Sequence, residues 1–187
     1  MKNMLGYFSH RGKEFIITSY NLPRPWINIL SNGKYGVLLS HTGGGFSWLI
    51  DCNLNRITKW YQDVYSDMDG RYLYIRDKDT GEYWSPTYKP VMRDLDSYEC
   101  RHGLGYSVIR SSYKGVETEI IFFVPKEDTL EVWIVKLKNN TGRRKNLEVF
   151  TYVEWWLGTA YDIDRQFHGL FYDLWVEDNV MFVTKYF

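Results

Sequence analysis

Cysteine is scarce in this chain: Cys52 and Cys100 are the only two among 187 residues. They make no Cys-x-x-Cys pair and cannot form a disulfide framework. Excess charge is also missing, with 23 Lys and Arg balanced by 23 Asp and Glu. A nucleic-acid surface needs surplus positive charge to displace counterions, and an anionic membrane surface would ask the same. No apolar run approaches the roughly 20 residues of a membrane span. The N-terminal stretch MKNMLGYFSHRGKEF has no apolar core of a secretory signal. The histidines, His10, His41, His102 and His168, are scattered and lack the close spacing of metal ligands. There is no Gly-x-Ser-x-Gly nucleophile elbow, and no carboxylate pair stands out as an acid/base couple. These absences point to a cytoplasmic protein without a metal, a membrane or nucleic acid among its partners.

Aromatic residues are what the chain has in abundance, at 18% of its length. Aromatic rings suit the faces of β-sheets and the apolar faces of sugars. The sheet reading accounts for most of them, and the sugar reading is left for those on loops. Strand patterns recur along the chain. Residues 14–18, 36–40, 45–50 and 72–76 are short, β-branched or aromatic, and bounded by turn formers. Residues 104–111, 116–124, 130–138 and 147–157 are longer, and 172–177 with 179–186 read as a hairpin. Within 147–157, both alternating faces are largely apolar, which predicts a strand covered on both sides inside a sandwich. No amphipathic helix, repeat or low-complexity segment is evident. The expected fold is all-β, an antiparallel β-sandwich.

Two local features bear on function. Gly43, Gly44 and Gly45 follow the apolar run of 36–40 and His41-Thr42. A phosphate-binding glycine loop needs a following helix, yet Phe46-Ser47-Trp48 continues as a strand, so a tight hairpin turn is the reading here. Arg101 and His102, in LDSYECRHGLGYS, are densely polar. They fit either a buried polar network or an edge turn.

Ordered motifs carry a resemblance over nearly the whole chain. They are PRPWINILSNGKYGVLLSHTGGGFSW, NRITKWYQD, GRYLYIRDKDTGEYWSPTYKPV and LDSYECRHGLGYS. Together they resemble the N-terminal domain of the inverting phosphorylases of glycoside hydrolase family 94. The resemblance implies a supersandwich-like β-sandwich over residues 1–187, incomplete in its last strands. A helical linker and an (α/α)6 catalytic barrel, which this chain lacks, would follow it. In such enzymes a barrel Asp protonates the glycosidic oxygen while inorganic phosphate, the co-substrate, attacks the anomeric carbon. The domain itself would therefore hold no catalytic residue and no cofactor. Its implied partners are a catalytic barrel in cis or trans, a β-linked oligosaccharide and a second copy of the chain. One stretch, TYVEWWLGTAYDIDRQFHG, resembles a family loop bearing adjacent Gln and Arg that reaches the sugar site. The matching positions are Arg165 and Gln166, in reversed order. Their planar donors suit vicinal sugar hydroxyls, and a solvated loop or an ion pair to Asp162 or Asp164 is the plainer reading. The other functions considered are a free-standing carbohydrate-binding module with exposed Trp and Tyr as its platform, and a structural association module with no ligand.

Overall fold

The computed structural model describes residues 5–164 and 171–186. It contains sixteen strands: β1 (Gly6–Phe8), β2 (Glu14–Ile17), β3 (Ile27–Ser31), β4 (Tyr35–Ser40), β5 (Gly45–Leu49), β6 (Arg56–Thr58), β7 (Arg71–Asp77) and β8 (Tyr83–Trp84), then β9 (Ser97–Gly103), β10 (Tyr106–Tyr113), β11 (Val116–Phe123), β12 (Val132–Asn139), β13 (Leu147–Val153), β14 (Trp155–Gly158), β15 (Tyr172–Glu177) and β16 (Val180–Lys185). A 3-10 turn spans Ala160–Asp164.

All strand pairs are antiparallel. One layer is a six-stranded sheet in the order β1-β2-β9-β10-β11-β12. The facing layer combines β14-β6-β5-β4-β3 with β13-β7-β8, and β15-β16 stand as a separate pair. Alternation places one face of each strand inward. In β11, Val116, Thr118, Ile120 and Phe122 are buried while Glu117 is exposed. Ile17, Cys100, Ile109 and Ile120 of the first layer meet Leu30, Val37, Leu39, Ile75 and Trp84 of the second in one core. The expected antiparallel sandwich is therefore present, with Trp84, Tyr72 and Phe122 almost fully enclosed. No helix among the described residues is long and apolar enough to cross a membrane.

The outward face of the six-stranded sheet carries a ladder of alternating charge. Arg101 joins Glu14 (3.1 Å) and Glu99 (2.6 Å), Arg110 joins Glu99 (3.5 Å) and Glu119 (2.7 Å), and Lys136 joins Glu119 (2.8 Å). Opposite charges directly across neighbouring strands favour this register.

Two expectations are corrected. The segment 147–157 is not one strand covered on both sides. It breaks at Glu154, whose N–H donates to the Gly70 carbonyl (2.8 Å) while its own carbonyl accepts from the Lys59 N–H (2.9 Å). That pair of bonds hands the chain from β13, next to β7, to β14, next to β6. Because β13 is an edge strand, Val149, Phe150 and Tyr152 stay about half exposed. The segment around Arg101 and His102 is no edge turn but β9, held between β2 and β10. Its Cys100 and Gly103 are buried, and the short β-branched run that marks other strands is missing there, so periodicity alone passed over it.

Candidate functional site

The three glycines form the tip of the β4–β5 hairpin, as the turn reading predicts. The Ser40 N–H donates to the Gly44 carbonyl (2.8 Å) and the Gly43 N–H to the Ser40 carbonyl (3.1 Å). This tip is buried, which is unusual for a hairpin loop. Glycine is required because other chain segments close over it. At Gly43, where φ is 91°, a Cβ would lie 2.7 Å from the Thr87 Cβ, and at Gly44 it would run into the Asp67 carboxylate.

Asp67 is the centre of the surrounding polar cluster. It sits on a turn that Asp63 builds, accepting the Tyr65 and Ser66 N–H groups at 3.0 Å each and the Ser66 hydroxyl at 2.7 Å. Asp67 itself has φ 46°, a left-handed conformation that aspartate tolerates better than most residues. Its Oδ2 accepts the hydroxyls of Ser40 (2.6 Å) and Thr42 (2.7 Å), and the buried Tyr72 hydroxyl donates to its carbonyl (3.0 Å). Burial raises the Asp67 pKa, and the two hydroxyl bonds partly offset the rise.

Lys89 faces this cluster from the loop after β8. Its ammonium donates to the Ser66 carbonyl. Burial lowers its pKa, while Asp67 and Asp63 raise it. Beside it Tyr88 adopts φ 77°, an outlier for a bulky residue that costs about 1–3 kcal/mol. Its ring stacks on Tyr20, with centroids 4.0 Å apart and planes 17° from parallel. Between these loops lies a cleft of about 80 Å³, walled by Tyr20, Pro23, Arg24, Thr42, Tyr65, Asp67 and Lys89.

Buried His41 lines the cleft, and partly buried His102 is linked to it through Trp26. The Trp26 N–H donates to His41 Nδ1 (3.3 Å), so Nε2 carries the proton and donates to the Tyr20 carbonyl (3.2 Å). The Tyr98 hydroxyl donates to the His41 carbonyl. His102 Nε2 donates to the Trp26 carbonyl (3.1 Å), and its Nδ1 accepts from the Ser107 hydroxyl (2.9 Å). That hydroxyl oxygen in turn accepts from the Asn28 amide (3.1 Å). Burial pushes each imidazole down to about 4, so both are neutral at pH 7. This is the polar-network reading of His102; Arg101 lies in the outer charge ladder.

A wider trough, about 430 Å³, runs over the ladder between Arg110, Glu117, Glu119, Lys136 and Lys138. Its charges already pair with one another. The smaller cleft is the better candidate site, because its carboxylate and ammonium make no ion pair with each other.

Arg165 and Gln166 lie outside the described residues. The chain on either side of them is anchored. Asp162 Oδ2 accepts the Thr159 N–H (2.8 Å), the Ala160 N–H donates to the Asn53 carbonyl (2.6 Å), and the Tyr172 hydroxyl donates to the Trp156 carbonyl (2.6 Å). Asp67, Lys89 and Tyr65 were not singled out by sequence reasoning. The one available signal was the acid-rich run Asp63, Asp67 and Asp69 ending at Gly70.

Fold and residues together define a class. Residues 13–187 match the glycosyl hydrolase 94 supersandwich domain, and the chain belongs to that family. Particular relatives agree. The chain is similar to N,N'-diacetylchitobiose phosphorylase of Vibrio furnissii, 38% identical over 80% of this chain and 19% of that protein. It is similar to solabiose phosphorylase of Paenibacillus borealis, 33% identical over 94% and 23%. A third relative is the 3-O-beta-D-glucopyranosyl-beta-D-glucuronide phosphorylase of Paenibacillus borealis, 35% identical over 78% and 18%. The chain thus spans about a fifth of the length of these curated relatives.

Proposed function

We propose that this chain is the non-catalytic β-sandwich domain of an inverting β-glycoside phosphorylase. Such an enzyme cleaves a β-linked disaccharide or oligosaccharide with inorganic phosphate and releases a sugar 1-phosphate. The observation that carries the reading is the family match over residues 13–187, in a chain spanning only about a fifth of its phosphorylase relatives. The domain packs against a catalytic barrel, in cis or trans, and presents Arg165 and Gln166 to the sugar. The anchored segments before and after that pair support this role, because a loop contributes binding only when its ends are held in place.

The test is an assay of sugar 1-phosphate release from β-linked disaccharides with phosphate. The purified chain alone is expected to be silent, and the chain joined to a family barrel active. In the joined protein Arg165→Ala is expected to raise KM for the sugar and leave the fold intact. Turnover by the re-purified chain alone would overturn the non-catalytic assignment. Unchanged kinetics at limiting sugar would remove Arg165 from the site.

A further inference from the structure

We propose that the cleft between Thr42, Tyr65, Asp67 and Lys89 is a second carbohydrate-binding site, one that grips the edge of a neutral β-linked sugar through two neighbouring hydroxyls. The sugar class rests on the function proposed above; the polyol chemistry rests on the cleft itself.

Charge selects the ligand first. Asp67 and Lys89 face the same cavity without forming an ion pair. A free anion there would meet the Asp67 carboxylate, and a cation would meet both the Lys89 ammonium and Arg24, which also lines the cleft. A neutral ligand that donates to one and accepts from the other satisfies both. Adjacent sugar hydroxyls do this, since each hydroxyl is both donor and acceptor.

Available valences agree with that choice. Ser40 and Thr42 both donate to Asp67 Oδ2, while Oδ1, which lies beside Gly44, takes no donor from the described residues. The Lys89 ammonium uses one bond on the Ser66 carbonyl and has two donors left. Thr42 and Asp67 are themselves more than nine-tenths buried, so the floor is ordered before a ligand arrives.

Size and shape set the mode. About 80 Å³ equals the share of two or three water molecules. It admits the hydroxyl-bearing edge of a pyranose, with the ring left outside. There Tyr65 stands at the rim, 93% exposed on the turn that Asp63 caps. Its ring offers the apolar surface on which a sugar face stacks. The strained backbone at Asp67 lies on the cleft wall, and that at Tyr88 directly precedes Lys89, where irregular geometry positions side chains for a ligand.

The experiment is a nuclear magnetic resonance titration of the nitrogen-15-labelled chain with cellobiose and N,N'-diacetylchitobiose. Amides of residues 41–45, 64–67 and 88–89 are expected to shift, with a dissociation constant on the order of millimolar. Tyr65→Ala, at an exposed side chain that does not support the fold, is expected to weaken binding about fivefold, equivalent to about 1 kcal/mol. Lys89→Gln is expected to weaken it as well. Sodium phosphate and calcium chloride serve as ionic probes and are expected to leave these amides unmoved. No shift up to about 50 mM sugar, shifts confined to another surface, or a Tyr65→Ala chain that binds equally well would each overturn the site. So would a response to either ion with none to sugar. Binding here together with a joined protein that lacks phosphorolysis would instead remove the phosphorylase assignment and favour a free-standing binding module.

Discussion

Lowering the pH from 8 to 5 should destabilise this fold far more than it would a domain with exposed histidines. His41 is buried and His102 partly buried, and loss of water around each ring holds both neutral with pKa values near 4 against an ordinary 6.5. In the unfolded chain each takes up a proton below pH 6.5, whereas the folded chain takes it up only near 4. The unfolded state therefore binds more protons in that window, so stability is full above 6.5 and falls as pH drops towards 4. For one such group the loss between pH 8 and 5 is about 2 kcal/mol, and for two about 4 kcal/mol. A typical domain has about 5–15 kcal/mol in total. The steepest slope is about 2.4 kcal/mol per pH unit, from nearly two protons. Lys89 near His41, and His41 near His102, push in the same direction. The raised pKa of Asp67 opposes it, because the folded state holds that proton more tightly. Asp77 and Glu119 are lowered, so their losses come nearer pH 4. Urea unfolding at half-unit pH steps would measure the curve. His102→Gln keeps a donor for the Trp26 carbonyl but cannot titrate, so it should roughly halve the slope. A free energy of unfolding flat between pH 7 and 5 would refute the reasoning, and so would an unchanged slope in His102→Gln.

Gly44→Ala should cost about 2 kcal/mol or more, because the added methyl meets Asp67 within a buried loop; a midpoint of urea unfolding within error of the parent would contradict this. Arg71 pairs with Glu131 (2.7 Å) while the Trp133 indole N–H donates to the same carboxylate (2.9 Å). Arg71→Met should therefore lose about 3–5 kcal/mol by stranding a buried charge, and adding Glu131→Gln should recover part of it, with a double-variant stability below the single's counting against the argument. The chain is expected to self-associate, since the β15–β16 hairpin exposes Leu174, Trp175, Val176 and Met181. Light scattering after size exclusion should then give a mass above 22.4 kDa, with slowed hydrogen exchange over 172–185 that relaxes on dilution; a monomer at micromolar concentration would remove this expectation.

The sequence by itself determined the fold class. Period-two alternation and turn formers between apolar runs dictate antiparallel strands wherever one face must be buried, and the β11 pattern states this locally. It determined the glycine turn as well, because Phe46-Ser47-Trp48 continues as a strand and cannot open a helix. The motif order was enough to place the chain in its family. What periodicity could not supply was any property that depends on distant segments. β9 is a strand because β2 and β10 bond it from both sides, although its residues Glu99, Arg101 and His102 are polar. The break at Glu154 comes from bonds to Gly70 and Lys59, more than eighty residues earlier in the chain. The cleft is a further case. Thr42, Asp67 and Lys89 sit on three separate loops, and each alone reads as an ordinary polar turn residue. Only packing of those loops over the buried glycine tip sets a half-satisfied carboxylate opposite an ammonium. Removing both from bulk water then makes the remaining valences of each worth filling.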